Sequence, residues 1–436
     1  MIRDGAVTAC SGPACETLQS ATRSAPPPGQ RYRNWGSGGG LRPLDGAIVA
    51  GVGRGREPIE TAVALIEGAA AAGWRGADPY DGLWVRWPRI MTGGALRRMV
   101  ILQLHARSPV DIRRIYRRRH PLLAKGAALF ALAGLRVHRH TGRPRPLELA
   151  LDALQTLAAD TSAGPAAWGY PFETQLRWGR YPAFEPSIVP TAFAIEALLE
   201  GERVAGRADL GERARAAARR LVGEHWTGDG HFAYHGRSRA NIHNASLLGA
   251  RAVWHALGEE AAAEVRAAVR RALGAQREDG SWPYGEGASL GWSDSFHTGY
   301  VLLCLDALRG LDPEVDEAVV RGAVFYRRFF GQRGESRLWA DRAHPEDGHS
   351  AGTGLSALAA LHRRGLVERE FLDLVCGRVL THGIRGGHAV HRRYRGGVRS
   401  SVRYLRWCDG HVALGLADAA IALERRTEPV AETNPA

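Results

Sequence analysis

From Pro58 onward, apolar residues recur three and four positions apart, with alanine and leucine filling most of those places. That period is helical, and it predicts helices over residues 59–71, 90–106, 111–116, 122–141, 147–159, 191–199, 210–221, 243–257, 261–275, 297–308, 315–330, 350–363, 368–380 and 406–423. No alternating apolar/polar run is long enough for a sheet; short strands are expected at 232–234 and 390–394. Short turns join the helices on one side, and long aromatic loops, such as 74–87 and 168–190, join them on the other.

The pattern repeats. Asp229-Gly230-His231-Phe232-Ala233-Tyr234 precedes His243-Asn244, and Asp279-Gly280-Ser281-Trp282-Pro283-Tyr284 precedes His297-Thr298. Leu338-Trp339 precedes His349-Ser350. Histidines about fifty residues apart, each opening a helix, mark a repeat architecture whose units bury their apolar faces only by stacking on one another. The expected fold is all-α: about six antiparallel helix hairpins closed into an (α/α)6 toroid, with parallel inner helices and the aromatic loops at one mouth. One barrel domain over 46–425 is expected, between tails at 1–45 and 426–436 whose Gly/Ser/Pro/Arg-rich composition predicts disorder.

Two resemblances fit this reading. Gln276 through Trp282 resembles the Gln…Gly-x-x-Trp repeat of squalene and terpene cyclases and protein prenyltransferases, which implies the toroid rather than an activity. A longer set resembles a bacterial and archaeal family of α/α toroids, whose members are similar to six-hairpin glycosidases and exopolysaccharide-biosynthesis proteins. The set comprises Asp78-Pro79-Tyr80-Asp81-Gly82-Leu83, Lys125-Gly126, Trp168-Gly169-Tyr170-Pro171-Phe172, Gln175, Arg177-Trp178, Pro190-Thr191, His243-Asn244-Ala245, residues 279–284, Trp292-x-Asp294-x-Phe296-His297-Thr298-Gly299-Tyr300 and His349-Ser350. This resemblance implies an (α/α)6 barrel in surface-polysaccharide metabolism and assigns no catalytic residue. The chain departs from that pattern at Glu173, where the family carries Asp, and after Leu83, where a Ser-Pro is missing.

Net charge refines the picture. It is +13, and Lys125 is the only lysine among 58 basic side chains. From Arg86 to Arg145 the only acid is Asp111, and Arg113, Arg114, Arg117, Arg118 and Arg119 crowd together. Such a cluster is either a solvated helix face or a contact for a membrane surface or an acidic partner; no specific nucleic-acid partner is expected. The five cysteines include no Cys-x-x-Cys, so buried thiols are expected rather than a disulfide framework or thiolate metal site. No signal-like or membrane-length apolar run is seen, and a cytoplasmic location is expected.

Candidate chemistry collects at the expected mouth. His243, His297 and His349, with Asp81 and Asp294, form the candidate acid/base set: imidazoles exchange protons near neutrality, and paired carboxylates are the inventory of glycoside chemistry. Helix N-termini there attract anions. Arg177, Arg403 and Arg406 are candidate forks for carboxylate or phosphate. Trp168, Tyr170, Trp178, Trp282, Tyr284, Trp292 and Tyr300 are candidate platforms for sugar rings, with Asp78, Tyr80, Gln175 and Asn244 as polar contacts. Each candidate also has a purely structural role open to it, as helix cap, turn former or packing residue. Asp229 and Asp279 read as turn formers. No cofactor or metal is expected. Glycan hydrolysis, lyase elimination or epimerisation is the leading function; a terpenoid cyclase or prenyl-transfer enzyme and a non-catalytic glycan-binding scaffold are the rivals. The Asp-x-Asp-Asp, Asp-Asp-x-x-Asp and Asp-x-Cys signatures of the first rival are absent.

Overall fold

The structure is a computed structural model that describes residues 57–84, 89–113, 120–176, 179–236 and 238–424. The expected tails, Arg114 through Arg119, and Arg177 and Trp178 lie outside the described residues. Six inner helices form a ring: α4 (Ala124–Thr141), α6 (Ile188–Ala205), α8 (His243–Leu257), α10 (Ser295–Ala307), α12 (Gly348–Arg363) and α14 (Gly410–Glu424). Each packs on the next, and α14 returns to α4. Outside them lie α1 (Pro58–Ala70), α5 (Pro144–Ala159), α7 (Ala208–His225), α9 (Ala262–Gly274), α11 (Val315–Tyr326) and α13 (Arg369–Arg378). Helix α1 packs on α14, so the ring is closed by helices from opposite ends of the chain. This is the expected (α/α)6 toroid.

Composition explains which helices lie inside. Helix α12 is buried almost all round, whereas α5 buries a single stripe of Pro146, Leu149, Ala150, Ala153, Leu154 and Leu157. A helix apolar on every side belongs to an interior, and one with an apolar stripe belongs to a surface. Small residues set the spacing of the ring. A Cβ on Gly352 would lie 2.4 Å from the His411 carbonyl carbon, and one on Gly415 would lie 2.3 Å from the Gly352 oxygen. The backbones of α12 and α14 therefore touch.

Several boundaries differ from the periodic reading. The segment 90–106 splits into α2 (Arg89–Thr92) and α3 (Ala95–Arg107), because Gly94 is extended and caps the second piece. Helix α6 begins three residues early, since Pro190 is tolerated in a first turn that needs no intrahelical N–H donor. It runs on to a left-handed Gly206. The expected strand at 232–234 is an isolated bridge from Phe232 to Trp226. At 390–394 a strand does form: β6 (Arg392–Arg393) pairs antiparallel with β3 (Glu346–Asp347). Two further ribbons, β1 (Thr174–Leu176) with β2 (Gly179–Tyr181) and β4 (Ile384–Arg385) with β5 (His388–Ala389), are too short to leave a period. Among the described residues, no helix is long and apolar enough to cross a membrane.

Candidate functional site

The inner-helix N-termini gather the candidate titratable side chains. His243 opens α8, His297 is the third residue of α10, and His349 is the second of α12. Two residues without an expected role join them: Lys125, second in α4, and His411, second in α14.

At α10, Asp294 does two things. One carboxylate oxygen accepts the His297 backbone N–H at 2.9 Å and caps the helix. The other lies 2.8 Å from His297 Nδ1. With Nδ1 directed at the carboxylate, Nε2 has no protein partner among the described residues. Asp294 is buried, and His297 is half-buried beside a small cleft. Asn244, Trp282, Tyr284, Ser293, Thr298 and Val301 help to line that cleft. Asn244 Oδ1 is buried there without a partner. A buried polar atom left unpaired is costly, which makes it a ready contact for a bound polar group. Tyr284 and Trp292 stack at 4.3 Å beside His297.

Deeper at the barrel axis, Tyr300 is a hub. Its hydroxyl lies 2.9 Å from Lys125 Nζ, 2.7 Å from His349 Nε2 and 3.0 Å from His411 Nε2. His349 is sandwiched between Phe296 and His411, each about 4.2 Å away, and its Nδ1 is buried without a partner. Lys125 Nζ sits 4.6 Å above the Phe193 ring. Burial, reinforced by neighbouring cations, pushes His349, His411 and Lys125 well below their ordinary ranges. The hub is thus biased toward neutral groups sharing hydrogen bonds. Phe296 touches both imidazoles, at 4.1 Å from His297 and 4.2 Å from His349, and so links the cleft to the hub. His243 stands apart from both: burial lowers it to about 4, and its Nε2 is buried and unpartnered.

Other candidates are held in ion pairs, hydrogen bonds and ring contacts of their own. Asp78 is fully buried against Arg406, which lies 4.9 Å from the Tyr170 ring. A π-helical turn, Leu405–Asp409, carries Arg406 and Trp407 inward. Asp81 holds Arg113 at 2.6 Å, and burial still pushes its carboxyl up to about 6. Arg113 also donates to the Asp78 carbonyl at 2.7 Å, so the first arginine of the basic cluster is an interior strut, not a solvated side chain. Asp81, expected as an acid/base, and Arg406, expected as an anion fork, are each engaged by a buried opposite charge. Tyr80 packs edge-on to Trp407 and is raised to about 12 by burial. Gln175 accepts two hydrogen bonds from Arg98 and closes the β1–β2 turn with its amide. Arg403 pairs with Asp409 and lies against Gly68 of α1, away from the hub.

Trp168 and Trp282, expected as sugar platforms, are both essentially inaccessible, and their indole N–H groups donate to the carbonyls of Leu157 and Ala272 at the ends of outer helices. The Gln276–Trp282 motif is a brace: the Gln276 amide donates to the carbonyls of Gly280 and Ala318. Asp279 closes its turn on the Ser281 N–H, as expected of a turn former. Gly280 has φ +84° there, with the Arg321 carbonyl 2.3 Å from where a Cβ would stand. Cys304, Cys376 and Cys408 are buried free thiols.

The sequence did hold a signal for His411. Asp409-Gly410-His411 repeats Asp347-Gly348-His349, and both histidines are second in an inner helix. Lys125 was marked by its uniqueness among the basic residues.

No protein-family model matches the chain, and no curated protein matches it. Solved structures do. An unsaturated glucuronyl hydrolase specific for heparin is 12% identical, with a TM-score of 0.57 over 84% of this chain and 95% of its own. The unsaturated glucuronyl hydrolase of Bacillus sp. GL1 is 12% identical, with a TM-score of 0.57 over 85% and 96%. Cellobiose 2-epimerase from Bacillus thermoamylovorans B4167 is 12% identical, with a TM-score of 0.52 over 68% and 87%. At that identity the likeness is one of fold, and the chain shares with these proteins the (α/α)6 toroid.

Proposed function

We propose that the chain is a carbohydrate-active enzyme that processes an anionic or oligomeric glycan at the mouth of the barrel, using His297 as its proton-transfer group. The observation that carries this reading is the Asp294–His297 pair. A carboxylate fixes one imidazole nitrogen and leaves the other to a cleft with a stacked Tyr284–Trp292 wall and the unpaired Asn244 oxygen. An oriented imidazole of this kind takes a proton from a carbon beside a carbonyl, or from water. Asp78 and Asp81 are each tied to an arginine, so a free carboxylate pair across a glycosidic bond has no support here. That favours epimerisation or isomerisation over hydrolysis. Similarity of fold to sugar epimerases and a D-mannose isomerase agrees with the reading, as does similarity to glucuronyl hydrolases for an acidic sugar. A place in surface-polysaccharide metabolism and a cytoplasmic location belong to the same proposal; buried free thiols suit a reducing compartment.

The test is turnover of reducing and uronic-acid-containing oligosaccharides by wild type and His297→Ala. The cap is a bond to the backbone, so the variant keeps its helix start. A loss of at least about 100-fold without unfolding is expected. Turnover by His297→Ala at the wild-type rate would remove His297 from the reaction.

A further inference from the structure

Helix α3 lies outside the ring and packs its Ile101, Leu102, His105 and Ala106 face inward, against the 81–83 turn and β1. Its other face is unlike any ordinary surface helix. Leu96, Val100 and Leu104 stand four residues apart on one ridge and are 77%, 49% and 62% exposed. Met91 and Val110, beyond the two ends of the helix in sequence, are exposed as well. Scattered single apolar residues on a surface are unremarkable, but a continuous line of large ones marks a contact. Residues at that spacing share one helix face. Nothing among the described residues covers this ridge.

Its surroundings say what kind of partner covers it. Exposed Arg97 and Arg107 flank the ridge. From Arg86 to Arg145 the only acid in the sequence is Asp111, whose carboxylate accepts the Arg113 backbone N–H at 3.1 Å. Glu173 is the carboxylate that pairs with α3, at 3.7 Å from Arg98. An exposed apolar ridge flanked by arginines is the make-up of a helix that lies in the plane of a lipid surface. There the apolar side chains enter the acyl boundary, and the arginines meet anionic headgroups.

We propose that α3 docks the protein on a membrane surface rich in anionic lipid, through Leu96, Val100 and Leu104 with Arg97 and Arg107. The surface is one of attachment, and it is independent of what the mouth processes.

The test is co-sedimentation of the full chain with two sets of vesicles, phosphatidylcholine alone and phosphatidylcholine mixed with phosphatidylglycerol. Binding to the mixed vesicles is expected, weaker at high salt and weak without phosphatidylglycerol. The double variant Leu96→Glu with Leu104→Glu changes two exposed side chains, and its fold is checked by circular dichroism and melting. It should bind the mixed vesicles at least about tenfold more weakly. A second variant, Arg97→Glu with Arg107→Glu, should lose the preference for phosphatidylglycerol. Absence of binding to the mixed vesicles, or binding that the leucine variant leaves intact, overturns the proposal. So does a wild-type dimer in sedimentation velocity that the leucine variant breaks while vesicles go unbound, which would make the ridge a contact between copies.

Discussion

Asp294 caps a helix with one oxygen and orients an imidazole with the other, so its removal and that of His297 have different signatures. Asp294→Ala should cost about 1 kcal/mol of stability through the lost cap, and also turnover; His297→Ala should cost turnover with little stability. Chemical denaturation of both variants checks this. Lys125 offers a second contrast. Burial disfavours its charged form, and Arg406 nearby acts in the same direction. Arginine cannot shed its charge, so Lys125→Arg should destabilise by more than about 3 kcal/mol, whereas the neutral Lys125→Met should cost about 1 kcal/mol. Equal losses would mean the site tolerates a cation. His243 supplies a pH dependence. Its folded value of about 4 lies below the ordinary 6.5, so between those values the unfolded chain binds a proton that the native chain refuses. Stability from this residue is therefore present above about pH 6.5 and is lost as pH falls toward 4. Between pH 7 and 4.5 wild type should lose about 2 kcal/mol more than His243→Gln, read from denaturation at each pH. At this scale the sequence was only partly legible. A histidine at a helix start is visible in the chain, but whether a carboxylate meets a sugar or an arginine is decided by residues far away, as Asp78 and Arg406 show.

Elements were more legible, because each helix carries its own period. The α8 boundaries follow directly from the apolar spacing, since His243 begins the run and Gly258 ends it. The break between α2 and α3 was hidden because the apolar period continues across Gly93-Gly94. The aromatic repeats were visible as motifs, yet their role depends on depth. Trp282 is buried and braces outer helices, whereas Trp292 is half-buried and stacks beside the cleft. Trp282→Ala should accordingly cost about 3–5 kcal/mol of stability. Trp292→Ala should cost far less stability and weaken binding of a glycan, seen as a lost thermal shift on ligand addition. Helix contact sets another expectation. A side chain on Gly352 meets the His411 backbone 2.4 Å away, so Gly352→Val should prevent α12 and α14 from closing and lower the melting temperature sharply.

At the scale of the whole molecule, the ring brings six helix starts to one mouth, and residues remote in sequence meet there. Lys125, Tyr300, His349 and His411 span nearly three hundred residues of chain yet share one hydroxyl. The repeat made that convergence legible in outline: histidines at equivalent positions of successive units must face the same end. It did not show that the site divides into a cleft at His297 and a sealed hub beneath it, because that division rests on Phe296 and Trp407 filling the space between. In the proposed function, His297 moves a proton at a sugar carbon. The most direct measurement of that step is incubation of the wild-type protein with reducing oligosaccharides in deuterated water, followed by mass spectrometry and NMR of the recovered sugars. Deuterium at the carbon beside the carbonyl, absent with His297→Ala, is the expected result. Turnover without deuterium at that carbon, or the same incorporation by His297→Ala, would contradict it.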